Sequence, residues 1–371
     1  MKNKTQRQPT AGKCSLLHQL CNLIPAHLVP QLARDTGVTK RARPFTPWSH
    51  GVSLRYAQLT HAIGLNDVCD ALRLHAGPPS QNALSTANRE RSAHLAQELF
   101  YAVLGHLEKL HPGFGRGHRP RFAFRFKRMI HVVDATTIQL VARCLDWAKH
   151  RRRKAAAKWH LRLDRQTFLP RFALVATAGE HESRRAREVC AGVRAGELVV
   201  FDKAYVDFTH LADLSARDVF RVTRAKDNLR CRVVRKFQHG VAWVAVDGEL
   251  REMVFLTNNL EWSAQPIADL YRCRWSSEVF FKQTLQLADF LGNSANAVRW
   301  QVWPALLTYV CLRFCAWLSQ WGHSFTRLFA LLRSALWQKL ELRSLLEVWG
   351  TAGGGGWFLG TPLQAYLAGF R

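Results

Sequence analysis

Acidic residues are scarce in this 371-residue chain, where 27 Asp plus Glu face 53 Lys plus Arg and leave a formal net charge of +26. A molecule so charged repels itself unless it meets a polyanion, so nucleic acid is the expected partner. Long apolar runs are lacking too. A bilayer span needs about 18 or more uninterrupted apolar residues, and the richest stretch, Trp303 to Leu318, is broken by Arg313; no membrane partner is expected. The basic start, Met1 to Lys13, leads into no apolar signal core with a small-residue cleavage site. A soluble cytoplasmic chain is the expectation. Cysteine pairs are missing as well: Cys14, Cys21, Cys69, Cys144, Cys190, Cys231, Cys273, Cys311 and Cys315 are an odd set, scattered singly, with no CxxC and no Cys/His ligand spacing. Reduced core thiols are expected, not a disulfide framework or a zinc site. What is present, 48% hydrophobic and 22% charged residues, excludes global disorder and suffices for two or three domains.

Apolar residues recur at helical spacing in Ser15 to Ala33, with Pro25 bending or ending the helix, in Trp48 to Leu74 and in Ala83 to Leu110. Between His111 and Arg128 the chain turns Gly-, Pro-, Arg- and Phe-rich, as a basic connector would. The pattern then changes to strands, at Met129 to Leu140, Trp159 to Leu163 and Arg171 to Ala178, which predicts an antiparallel meander. A helix over Ser183 to Val193 and a buried strand Leu198 to Phe201 follow, the element order of a ribonuclease-H-like domain. Further strands are predicted between Val219 and Thr257. Ser263 is placed to cap a helix from Ala264, and helical periodicity runs with breaks to about Trp349, before the Gly353 to Gly356 tail.

In so basic a chain, a carboxylate inside an apolar strand is costly unless charged partners or a metal compensate it. Asp134 lies within Ile130 to Ile138, and Asp202 ends the run Leu198 to Phe201. A third candidate, Glu278, sits on a predicted helix where, at about 100° per residue, Tyr271, Arg274, Glu278 and Lys282 share one face. That row suits either a phosphodiester and metal site or an exposed salt-bridge ladder. Three carboxylates on two strands and a helix can hold two hard divalent cations about 3.5–4 Å apart, which serve both the attacking and the leaving oxygen of a phosphoryl displacement.

At these residues the sequence resembles the bacterial DDE transposases of the insertion-sequence-four family. The run VVDATTIQL resembles the segment carrying the first Asp, with Ala135 in place of the usual Ser; VFDKAYVDF resembles the Asp-Arg-Gly-Tyr segment, with Lys203 and Ala204 in place of Arg and Gly. YRCRWSSEVFFK matches the Tyr-x-x-Arg-x-x-x-Glu signature, whose closing Lys is replaced by Leu285. KWHLRLD, FLTNN, FLGNSANAV and the N-terminal SLLHQLCNLIPAHL and ALSTANRER extend the resemblance over nearly the whole chain.

The resemblance implies an α/β protein. A flexible basic tail (1–13), a helical domain (14–112) that either binds DNA or serves as an oligomerisation or packing module, and a basic linker (113–128) would precede a ribonuclease-H-like catalytic domain (129–320) with a β-rich insertion at about 219–257. C-terminal helices and a Gly-rich tail (321–371) would follow. It implies Mg²⁺-dependent cleavage at transposon ends, with Mn²⁺ able to substitute, and transfer of the freed 3′-hydroxyl into target DNA. Asp134, Asp202 and Glu278 would be catalytic and hold two metal ions. Tyr271, Arg274, Trp275, Lys282, Lys203 and Arg151, Arg152 and Arg153 would contact DNA, with Arg184, Arg185 and Arg187 further along its path. A core role for Trp275 stays open beside stacking on a displaced base. The partners implied are double-stranded terminal inverted repeats and target DNA, with a homodimer at the paired ends and a nucleoid-associated location. The alternative is a decayed or repurposed copy that binds DNA without cleaving it.

Overall fold

The computed structural model describes residues 8–38, 45–76, 80–115, 126, 128–140, 144–151, 154–226, 243–246, 249–252, 254–275 and 290–350. The chain forms two compact units: Met1–Gly117 with Gln283–Arg371, and His118–Lys282.

The first unit begins with α1 (Leu16–Cys21) and α2 (Leu28–Asp35), separated around Pro25 as expected. The other two expected N-terminal helices are each broken into a pair. One becomes α3 (Pro47–Thr60) and α4 (Leu65–Ala76): His61 takes the left-handed conformation (φ 55°), and the Asp67 carboxylate accepts from the amides of Ile63 and Gly64, at 3.2 and 3.0 Å. The other becomes α5 (Gln81–Glu90) and α6 (His94–Leu110), parted by extended backbone at Arg91. Apolar periodicity survives a one-turn break, whereas caps such as Ser80, whose Oγ accepts from the Ala83 amide at 3.1 Å, are local.

The second unit is built on a seven-stranded mixed sheet. Its elements run β1 (Ile130–Leu140), α7 (Leu145–Ala148), β2 (Lys149–Arg151), β3 (Lys154–Asp164), β4 (Pro170–Thr177), α8 (Glu182–Cys190), β5 (Leu198–Phe201), α9 (Phe208–Ala216) and β6 (Phe220–Arg224). Then come β7 (Trp243–Val246), β8 (Glu249–Glu252), β9 (Phe255–Thr257) and α10 (Ala264–Arg272). The strand order is β2-β3-β1-β5-β6-β9, with β4 pairing along β3. Strands β1, β3 and β4 make the expected antiparallel meander, and β5 and β6 continue parallel to β1. Strands β7 and β8 form a separate antiparallel pair in the expected insertion; the β-branched stretch RCRVVRKF (230–237) within it lies outside the described residues.

Alternation along the strands gives the sheet two cores. Ile130, Leu198, Val200 and Val222 pack with Ile267, Leu270 and Tyr271 of α10, while Val133, Val199 and Phe201 pack with Ala186, Val189 and Cys190 of α8 and Leu211 and Leu214 of α9.

The chain then returns to the first unit with α11 (Ala295–Leu318), α12 (Phe325–Ser334) and α13 (Leu342–Gly350). By length and composition α11 suits a membrane span, yet it is largely buried and packs on α3 and α6 as the core helix of its unit. Of the residues assigned from sequence to the catalytic domain, 290–320 cluster with the N-terminal helices. Part of the segment expected as a flexible basic tail is paired. Ala11 bridges to Leu340, and the Gln19 side chain donates to the Leu340 carbonyl and accepts from the Leu342 amide, at 2.7 and 2.9 Å. The eight described cysteines are free thiols, all but Cys14 buried.

Candidate active site

Strands β1 and β5 run side by side in the same direction, Val132 beside Val200 and Val133 beside Phe201. One residue on, period-two alternation turns Asp134 and Asp202 to the face of Ile130, Val132, Leu198 and Val200, the face that α10 covers. Apolar stripes thus end in two adjacent carboxylates. Asp134 is 5% exposed; its Oδ1 accepts from the Ala135 amide at 2.9 Å. Asp202 caps a 3-10 turn, Lys203–Tyr205, its Oδ1 accepting from the Ala204 amide at 3.0 Å.

The second oxygens of both aspartates face the end of α10. Arg274 donates from Nη1 to Asp134 Oδ2 at 3.1 Å, and its Nε stands 3.7 Å from Asp202 Oδ2. Tyr271 Oη donates to that same Asp202 oxygen at 3.4 Å. Burial, with the Asp202 carboxylate behind it, raises the Tyr271 phenol above its usual range, so it remains a donor at neutral pH. The expected helix is interrupted after Tyr271: α10 ends at Arg272, Arg274 lies in the turn that follows, and helix resumes at Trp275, with Glu278 beyond the described residues. The tyrosine and the arginine converge on the aspartates nevertheless.

Of the other sequence-derived candidates, Lys203 directly follows Asp202 in the 3-10 turn. Trp275 is 38% exposed, not a core residue. Arg151 ends β2, and Glu278, Lys282, Leu285, Arg152 and Arg153 lie outside the described residues. On α8, Arg185 is held by Glu180 at 2.7 Å and Glu188 at 3.0 Å, whereas Arg184 and Arg187 are exposed.

One pair was missed from sequence. On the opposite face, His160 of β3 lies across from Ala135, and its Nδ1 meets the Tyr205 hydroxyl at 2.6 Å. This contact passes behind β1 and ties the turn after Asp202 to β3. Burial, helped by Lys158, pushes the His160 imidazole down to about 4, and burial near Asp134 raises the Tyr205 phenol well above its ordinary value. The signal was present in KWHLRLD and FDKAY, but only strand register brings the two together.

Two side-by-side carboxylates that already gather a guanidinium between them are a hard-oxygen donor set that suits a divalent cation. Among the described residues no group of three or more His, Cys, Asp or Glu is assembled. The observed pair would need a third donor or water.

The family model described as "Transposase DDE domain" matches residues 125–311, and a "Domain of unknown function (DUF4372)" matches residues 13–78. The first match spans half of the chain, and the chain belongs to the DDE transposase-domain family, whose members depend on divalent metal. Its relatives include "Putative transposase y4zB" of Sinorhizobium fredii, 27% identical over 299 residues, covering 72% of this chain and 80% of that one. Another is "Probable transposase for insertion sequence element IS5377" of Geobacillus stearothermophilus, 27% identical over 226 residues, covering 52% of this chain and 58% of that one. A solved piggyBac transposase synaptic complex with hairpin DNA overlays 94% of this chain and 86% of its own at 9% identity and a TM-score of 0.47.

Proposed function

We propose that this chain is a DNA transposase of the insertion-sequence-four family, which cleaves transposon ends and joins the freed 3′-hydroxyl to target DNA. The observation that carries the reading is the pair Asp134 and Asp202, on adjacent parallel strands and bridged by Arg274. The strand order, with β1 central between an antiparallel β3 and a parallel β5, supports a ribonuclease-H-like catalytic domain.

Asp134 and Asp202, with Glu278 as third ligand, would hold Mg²⁺. Bound there, the metal would activate the attacking oxygen and stabilise the leaving oxygen of the displacement. The chain's own groups orient the DNA: Arg274 offers a planar fork suited to a phosphodiester, and Tyr271 a neutral hydroxyl beside it. Lys203 adds positive charge at the same edge. The exposed indole of Trp275 suits stacking on a displaced base. Lys282 and Arg151 to Arg153 would contribute further phosphate contacts, a homodimer would pair the two ends, and the protein would work on the nucleoid in the cytoplasm.

The test is incubation of the purified chain with a labelled duplex bearing the inverted repeats that flank its coding region, with Mg²⁺ or EDTA. Metal-dependent nicking and end joining are expected, and Asp134→Ala, Asp202→Ala and Glu278→Ala should each abolish both while retaining DNA binding. Binding without cleavage under Mg²⁺ and Mn²⁺ would instead identify a decayed copy, and Leu285→Lys would then test whether the replaced signature lysine is the cause.

A further inference from the structure

The site contains its own cation. Arg274 places one nitrogen 3.1 Å from Asp134 Oδ2 and another 3.7 Å from Asp202 Oδ2, and Tyr271 closes the cluster on the second oxygen. A metal held between the two aspartates would use these same oxygens, while Oδ1 of each aspartate accepts from a backbone amide. The side chains of Arg274 and Asp134 are only 12% and 7% exposed, so little water screens the pair.

We propose that Arg274 is the resident counter-ion of Asp134 and Asp202 and competes with divalent metal for them until a phosphodiester draws it away, so that metal and DNA bind cooperatively. The inference rests on the metal-binding role proposed above for the two aspartates. Two cations cannot share the same carboxylate oxygens without like-charge repulsion, so metal entry displaces the guanidinium. Displacing it without a new partner strands a poorly solvated charge, which weakens metal binding by DNA-free protein. A phosphodiester supplies that partner through charge-assisted hydrogen bonds to the same fork. By linkage, whatever factor DNA adds to metal affinity, metal adds to DNA affinity. The arrangement holds the carboxylates ready yet disfavours a metal-loaded site before DNA is engaged.

The experiment measures Mn²⁺ affinity of the full chain by the free-ion electron paramagnetic resonance signal, without DNA, for the unaltered protein, Arg274→Gln, Arg274→Lys and Asp134→Asn. Circular dichroism verifies folding of each. Arg274→Gln should bind Mn²⁺ roughly tenfold more tightly than the unaltered chain, within the range usual for coupled sites. Arg274→Lys, which keeps the charge but loses the fork, should fall between them, and Asp134→Asn should bind least. In a second arm, Ca²⁺ should tighten binding of a labelled duplex to the unaltered protein by a similar factor and leave Arg274→Gln unmoved. If Arg274→Gln binds Mn²⁺ no better than the unaltered chain while Asp134→Asn still loses it, competition is refuted and the metal-site reading stands. If Asp134→Asn and the unaltered chain bind Mn²⁺ equally, the metal-site reading itself fails, and the proposal with it.

Discussion

A histidine that is fully buried and hydrogen-bonded responds to pH in one direction only. His50 in α3 has no exposed surface; its Nε2 lies 2.8 Å from Asn88 Oδ1, and its ring packs 4.0 Å from that of Trp300. Burial pushes its pKa down to about 3, with Arg91 pushing the same way and the Asn88 contact opposing. The unfolded chain binds the proton more readily, near pH 6.5, so the stability from neutral His50 is complete above about pH 6.5 and drains away as pH falls below it. His160, down to about 4, has the same sign. Melting temperature should be level from pH 8 to 7 and drop steadily below 6. His50→Gln, which keeps a donor for Asn88 but does not titrate, should flatten part of that slope in thermal melts at pH 5 and 7.5. Equal slopes in the two proteins would show that another group titrates. The His160–Tyr205 contact makes a separate prediction. Tyr205→Phe leaves a buried imidazole nitrogen without its partner, at a cost of about 1–3 kcal/mol in urea unfolding, and should slow cleavage by loosening the turn that carries Asp202.

At the level of elements, the entry to α11 is the most exacting piece of local geometry. Ser294 Oγ caps the helix by accepting from the Ala297 amide at 3.1 Å, and a Cβ on Gly292 would stand 2.5 Å from Ala297 Cβ. Ser294→Ala should cost about 1 kcal/mol, and Gly292→Ala, which must push the helix start aside, about 1–3 kcal/mol; chemical denaturation of each variant measures both. The FLGNSANAV run thus has a structural reason for its glycine and its serine. Much of the architecture was legible in this way. β5 is found at Leu198 to Phe201, as its apolar run predicts, and Asp134 and Asp202 stood out because strand alternation makes an acid in an apolar stripe conspicuous. Helix breaks at His61 and Arg91 were not legible, because they depend on caps and on one left-handed residue while the apolar period continues through them. The return of α11 to the N-terminal helices was not legible either: its apolar surface names no partner, and the choice of α3 and α6 is made by tertiary packing alone.

For the molecule as a whole, a net charge of +26 matters through the counterions that DNA releases when phosphates are neutralised. If about six to ten phosphates are neutralised, affinity should fall by roughly 10³–10⁵ between 50 and 200 mM salt. Not every arginine contributes to that fall. On α8, Arg185 is already neutralised by Glu180 and Glu188, while Arg184 and Arg187 stand exposed. Neighbours on one helix with equal formal charge should therefore behave differently. Removing Arg184 and Arg187 together, as Arg184→Gln with Arg187→Gln, should flatten the plot of log affinity against log salt by up to about two units, roughly 0.9 for each phosphate that is no longer neutralised. Arg185→Gln should leave the slope unchanged, since its charge is spent within the protein before DNA arrives. Fluorescence anisotropy of a labelled duplex across a salt series reads both. An Arg185→Gln effect as large as that of the double variant would mean that DNA breaks the Glu180 and Glu188 ion pairs on binding. No change in either would move the DNA path off α8 to other basic surface of the chain.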